Sequence, residues 1–131
     1  MKKHKVYISV SYNTSASVIQ HVKKAIEATG AEVIMYQKGT TYDRKMILKA
    51  DIVIGIPPDD LINTDMNYSV GKGQYNEADY ALDINRPYYM LTRGLEEFGA
   101  FSQTYSNLPN NWKKDYGNII VKGSFSLEEI L

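Results

Sequence analysis

Glu77 is the residue of this chain best placed to do chemistry. It stands in Gly73-Gln74-Tyr75-Asn76-Glu77-Ala78-Asp79-Tyr80-Ala81, roughly one turn into a segment with helical spacing. Tyr75, Ala78, Ala81, Leu82 and Asn85 form one stripe of that helix, and Glu77 sits at its edge. Covering raises the pKa of such a carboxyl group, and a nearby helix N-terminus lowers it. An ionised, poorly hydrated carboxylate is a competent nucleophile. The plain alternative is a glutamate that caps its own first turn.

Two other groups of residues could take part. Lys5 to Ser11 alternates, with Val6, Ile8 and Val10 on one side and Tyr7, Ser9 and Ser11 on the other. That hydroxyl row either lies under a helix that accepts small residues or leads into a pocket, and Ser11 is nearest the loop. Ser11, Asn13, Thr14 and Ser15 precede a helix whose free N–H groups form an anion site, so they can hold a phosphate or simply cap. The long segment Pro57 to Lys72 carries Asp59, Asp60 and Asp65. Each could act as an acid, bind a sugar hydroxyl or hold a turn.

The elements that must position these groups follow from periodicity. Asp51 to Ile56 and Pro87 to Thr92 are short Val/Ile- or Tyr/Met-rich runs, read as buried strands of a parallel sheet. The helix between them completes a crossover, and the intervening loop falls at the carboxyl end of the sheet, where open α/β folds bind ligands. Lys5 to Ser11 is the first strand and Glu32 to Gln37 the second. Between them Val18, Ile19, Val22, Ala25 and Ile26 recur at helical spacing, and Gly30 ends the helix. Tyr42 to Ala50 is read as a short helix with Met46, Ile47 and Ala50 inward, and Arg93 to Gln103 as another with Leu95, Phe98 and Phe101 inward. Trp112 is assigned to packing. Asn118 to Lys122 is the fifth strand, and Ser124 or Ser126 caps a last helix over Leu127 to Leu131. The expected fold is one α/β domain over residues 1–131, flavodoxin-like and three-layered, with a five-stranded, mainly parallel sheet and helices on both faces.

Bulk properties narrow the function. A chain of 131 residues with 44% hydrophobic content suits one domain with a sizeable core. Fifteen basic and fifteen acidic residues cancel, which argues against a non-specific binder of nucleic-acid polymers but not against a nucleotide ligand. No cysteine is present, and His4 and His21 are far apart, so neither disulfides nor a zinc site is expected. The basic start Met1-Lys2-Lys3-His4-Lys5 lacks the apolar region of a signal peptide, and no stretch approaches the ~20 apolar residues of a membrane span. The expectation is a soluble cytoplasmic protein with no membrane partner. Eleven tyrosines suit half-wet positions such as pockets and interfaces.

Four stretches together carry a resemblance. They are Val6-Tyr7-Ile8-Ser9-Val10-Ser11, Ala50-Asp51-Ile52-Val53-Ile54, the Gly73-to-Ala81 helix start, and Arg86-Pro87-Tyr88-Tyr89-Met90-Leu91. In order and spacing, over roughly residues 5–92, the chain resembles the nucleoside 2-deoxyribosyltransferase superfamily, which includes nucleotide N-glycosidases. The resemblance implies that Glu77 attacks the anomeric carbon, displaces the base and leaves a glycosyl-enzyme, as in retaining glycosidases. It implies that Tyr7 orients the Glu77 carboxylate. Ser9, Ser11 and Ser15 would hold a 5′-phosphate with Lys72 as charge partner, Gly73 belongs to the helix-start motif, and Asp60 and Asp65 are the remaining candidates for substrate contact. No metal or organic cofactor is implied; the partner is a small-molecule nucleoside or nucleotide, and a homodimer is common in the family. Transferases place an Asp six residues before the Glu, where this chain has Gly71. That favours a hydrolase, or a binding protein without the chemistry. Lys5 to Tyr12 also resembles the start of a Toll/interleukin-receptor (TIR) domain, which would imply NAD cleavage through a Glu or a signalling scaffold.

Overall fold

A computed structural model describes residues 4–10, 14–35, 45–57, 67–92, 97–101 and 116–131, with backbone alone for 67–72 and 116–118. Strand β1 (Lys5–Val10) leads into helix α1 (Ala16–Ala28) and strand β2 (Glu32–Met35). Helix α2 (Lys45–Leu48), strand β3 (Ile52–Ile56) and strand β4 (Asn67–Gly71) follow. Helix α3 (Lys72–Asp83) then runs into strand β5 (Tyr88–Leu91), and β6 (Phe98–Phe101), β7 (Tyr116–Phe125) and α4 (Leu127–Ile130) complete the chain.

The helix ends follow local chemistry. Ser15 has extended backbone, and its hydroxyl accepts from Val18 N, capping α1. Ser126 does the same for Glu129 N at the start of α4. Helix α3 stops at Asn85, which has φ 60°, a left-handed value that Asn tolerates better than other side-chain-bearing residues. Arg86 N donates to Ala81 O at 2.7 Å and Asn85 N to Leu82 O at 3.1 Å, the paired closure of a Schellman turn. Asn85 is therefore exposed at the terminus rather than part of the buried stripe expected for it. The Arg86 side chain turns back to donate to Ala50 O at 2.8 Å, tying the end of α3 to the start of β3.

The sheet is mixed. Its order is β2-β1-β3-β5-β6-β7-β4, seven strands among the described residues. Strands β2, β1, β3 and β5 pair in parallel, with Tyr7 opposite Ile34 and Val53, and Ser9 opposite Gly55. Beyond β5 every pairing is antiparallel. This corrects the expected five-stranded, mainly parallel sheet. The helix expected over Arg93 to Gln103 is also wrong where it is described, because Phe98–Phe101 is strand β6. The physical reason is that an i, i+3 apolar pair fits both geometries when a sheet is covered on both sides. Phe98 packs on one face with Ile8 and Val22, and Phe101 on the other with Tyr75 and Tyr88. Strand β7 extends to ten residues, past the five expected, by absorbing a bulge. Gly123 occupies it with φ +82°, a value that a side chain would make costly.

Helices cover both faces. Helices α1 and α4 bury Val22, Ile26 and Ile130 against Val6, Ile8, Ile52, Ile54 and Ile56. Helices α2 and α3 bury Ile47, Tyr75, Ala78 and Ala81 against Tyr7, Val53, Tyr88 and Met90. Strand β3 is buried along its whole length, as its unbroken apolar run requires. Among the described residues, no helix is long and apolar enough to cross a membrane.

Candidate active site

The side chains of Tyr7 and Ser9 leave β1 on the same face, two residues apart, under the first turns of α3. Helix α3 brings Glu77 down onto them. The Tyr7 hydroxyl donates to Glu77 Oε2, and the Ser9 hydroxyl donates to Glu77 Oε1 at 3.1 Å. Each carboxylate oxygen thus has its own donor. Glu77 is 8% exposed, and Tyr7 and Ser9 are fully buried.

A second tyrosine extends the network. Tyr88 on β5 donates its hydroxyl to Ser9 Oγ at 3.2 Å. Ser9 has a single proton, so accepting from Tyr88 leaves that proton directed at Glu77. Tyr88 reaches Ser9 by crossing over Gly55 of β3, which pairs with Ser9 on one side and Met90 on the other. A Cβ at Gly55 would lie 2.1 Å from the Tyr88 hydroxyl. The glycine is the gap through which the tyrosine passes.

Gln74 precedes Glu77 by one helical turn and is 2% exposed. Its Nε2 donates to Ser9 O at 3.2 Å and to Ile56 O at 3.0 Å, clamping β1 to the last residue of β3. Thr14, just ahead of α1, donates to the same Ile56 carbonyl at 3.2 Å. The constellation therefore lies at the carboxyl ends of β1 and β3, where parallel sheets of α/β proteins bind ligands.

The electrostatics follow from this enclosure. Burial pushes the Glu77 carboxyl up to about 7, against the lowering effect of the Tyr7 and Ser9 hydrogen bonds. Burial likewise drives the Tyr88 phenol well above its ordinary range, with the neighbouring Glu77 charge adding to the effect. Tyr88 is therefore a proton donor at neutral pH. A carboxyl group near neutrality, deprived of water and held from both oxygens, can act as a nucleophile or exchange a proton.

Of the residues singled out from sequence, Glu77, Tyr7 and Ser9 are brought together directly. The Ser9 proton is committed to Glu77, which leaves none for a phosphate oxygen. The Ser15 hydroxyl serves the α1 N-cap and meets Ser17 Oγ at 3.3 Å. Gly73 is exposed in the first turn of α3, and a Cβ there would meet nothing within 4 Å. Lys72 is the first residue of α3, and its side chain lies outside the description. Ser11, Asp60 and Asp65 lie outside the described residues. Sequence reasoning missed Gln74 and Tyr88. Gln74, Glu77, Ala78 and Ala81 follow the i, i+3, i+4, i+7 pattern, so two polar residues on a buried stripe were the available signal.

No protein-family model matches the chain, and no curated protein does.

Proposed function

We propose that this protein cleaves or exchanges the N-glycosidic bond of a nucleoside, ribo or deoxy, or of its 5′-monophosphate, with Glu77 as nucleophile. One observation carries the reading: a buried carboxylate at the carboxyl edge of parallel strands, with a hydroxyl donor on each oxygen. The parallel order β2-β1-β3-β5, to which the antiparallel strands are added, supports reading that half of the sheet as flavodoxin-like.

In the first step a Glu77 oxygen bonds to the anomeric carbon as the carbon–nitrogen bond breaks. The bonding pair leaves with the base, which takes a proton from solvent or a general acid. In the second step water, or the nitrogen of another base, attacks the same carbon. Glu77 is released as a carboxylate and the acceptor loses a proton. Tyr7 and Ser9 hold the carboxylate in its attacking orientation and partly replace the hydration it lacks. Gly71, at the position where transferases carry Asp, favours water as acceptor.

Chromatography of nucleosides, their monophosphates and NAD after incubation with the protein tests the reading. Free base is expected from the nucleosides or monophosphates. Glu77→Ala should lower release at least ~10³-fold with the fold retained by circular dichroism, and Tyr7→Phe by ~10–10²-fold. Release unaffected by Glu77→Ala, or nicotinamide from NAD with nucleosides left whole, would refute it.

A further inference from the structure

Gln74 has one polar atom more than its surroundings satisfy. Its Nε2 donates to two carbonyls, Ser9 O and Ile56 O, which settles the orientation of the amide, since the reverse would set oxygen against oxygen. Its Oε1 is buried and has no hydrogen-bond partner among the described residues. An unpaired buried acceptor costs on the order of 1–3 kcal/mol, and folded proteins keep few of them.

The position of this oxygen indicates its use. Gln74 and Glu77 share a face of α3 and converge on one residue, Gln74 on the Ser9 carbonyl and Glu77 on the Ser9 hydroxyl. Both α3 side chains are shielded from solvent, one helical turn apart. Resting on the reading that Glu77 attacks an anomeric carbon, stereochemistry then selects the substrate group involved. The base of a β-nucleoside projects from one face of the sugar, and displacement brings the nucleophile to the opposite face. The 2′-hydroxyl of ribose, on the adjacent carbon, projects from that same opposite face. A group on the C2′ side of the attacking carboxylate therefore meets that hydroxyl. An acceptor without a donor is matched there by ribose and left orphaned by deoxyribose.

We propose that Gln74 is a specificity-determining residue whose Oε1 accepts a hydrogen bond from the substrate 2′-hydroxyl, selecting ribonucleosides or their 5′-monophosphates over the 2′-deoxy forms. Contacts to a 2-hydroxyl strengthen as the sugar approaches its oxocarbenium-like transition state. The selection runs against intrinsic reactivity, because an electron-withdrawing 2′-hydroxyl slows glycosidic cleavage in solution. A preference for ribose must therefore come from the site.

The test compares base release from the four common nucleosides and monophosphates in matched 2′-hydroxyl and 2′-deoxy forms, with wild-type protein and with Gln74→Met. Wild type is expected to favour the ribo form at least tenfold in kcat/KM, and Gln74→Met to reduce that ratio at least tenfold. Gln74→Met also gives up the clamp on Ser9 and Ile56, so a second measurement uses wild type alone. Calorimetric titration should show the 2′-hydroxyl ligand binding more tightly than the 2′-deoxy one, and a 2′-fluoro ligand, which has no proton to donate, binding no more tightly than the 2′-deoxy. Equal or better use of deoxynucleosides, or a ratio unchanged by Gln74→Met, overturns the inference while leaving Glu77 as nucleophile. Failure to release or bind any nucleoside overturns the Glu77 reading and this inference with it.

Discussion

At the residue scale, the carboxyl of Glu77 places its chemistry in tension with stability. Its folded-state value of about 7 lies above its ordinary 4.5. Between those values the folded protein holds a proton that the unfolded chain has released. Stability from this group is therefore complete below about pH 4.5 and is lost as pH rises through about 7. A shift from 4.5 to about 7 corresponds to roughly 3 kcal/mol. Glu77→Gln removes the ionisable group, so it should be more stable than wild type by about 1–3 kcal/mol at pH 8, with the gap closing by pH 4. Denaturant melts at the two pH values measure this. Catalysis runs the other way, because attack needs the carboxylate, and kcat/KM should rise with pH through about 7. A gap that widened on acidification would contradict the assigned direction of the shift. The place of Glu77 at the edge of a buried stripe was legible in the sequence from helical spacing. Gln74 was not, since an amide on a buried stripe declares its role only when its partners are known, and here they come from β1 and β3.

At the scale of elements, the site depends on a gap in β3. Gly55 lets the Tyr88 ring lie across the strand and reach Ser9. Gly55→Ala would place a methyl 2.1 Å from the Tyr88 hydroxyl and 2.6 Å from its ring, so the tyrosine must move. The expected cost is about 2–4 kcal/mol, with loss of the Ser9 contact. Replacing Tyr88 by Ala in the same protein should make the added Gly55→Ala cost small, and a double-mutant cycle by urea denaturation reads the coupling. Additive effects would show that the two residues do not meet. The strands themselves were mostly legible, because β1, β3 and β5 are apolar runs of strand length. Strand β6 was not, because its two phenylalanines go to opposite faces of a doubly covered sheet and mimic one side of a helix. Strand β4 was also missed. Asn67-Tyr68-Ser69-Val70-Gly71 has little β signal of its own and is held as an edge by pairing with β7.

At the scale of the molecule, two half-sheets of opposite habit share one core. The parallel half carries the site, and the antiparallel half extends the sheet beyond β5. Strands β1 and β3 are interior and enclosed by helices on both faces, whereas β2 and β4 are the edges. Amide hydrogen exchange should be slowest in β1 and β3 and fastest in β2 and β4. Rapid exchange in β1 would mean that the platform under Glu77 opens locally and would argue against a preorganised site.

The sequence by itself determined the α/β character, the first three crossover elements, the capping-rich stretches ahead of α1 and α4, and the place of Glu77 at the edge of the buried stripe of α3. These are written in local spacing, which carries a period of two or 3.6 whatever the rest of the chain does. Only the tertiary structure decided the mixed sheet, the Tyr88–Ser9–Glu77 chain and the unpaired oxygen of Gln74. Each of those depends on which strand lies beside which. That choice is made by burial on two faces at once, and no short window of residues records it.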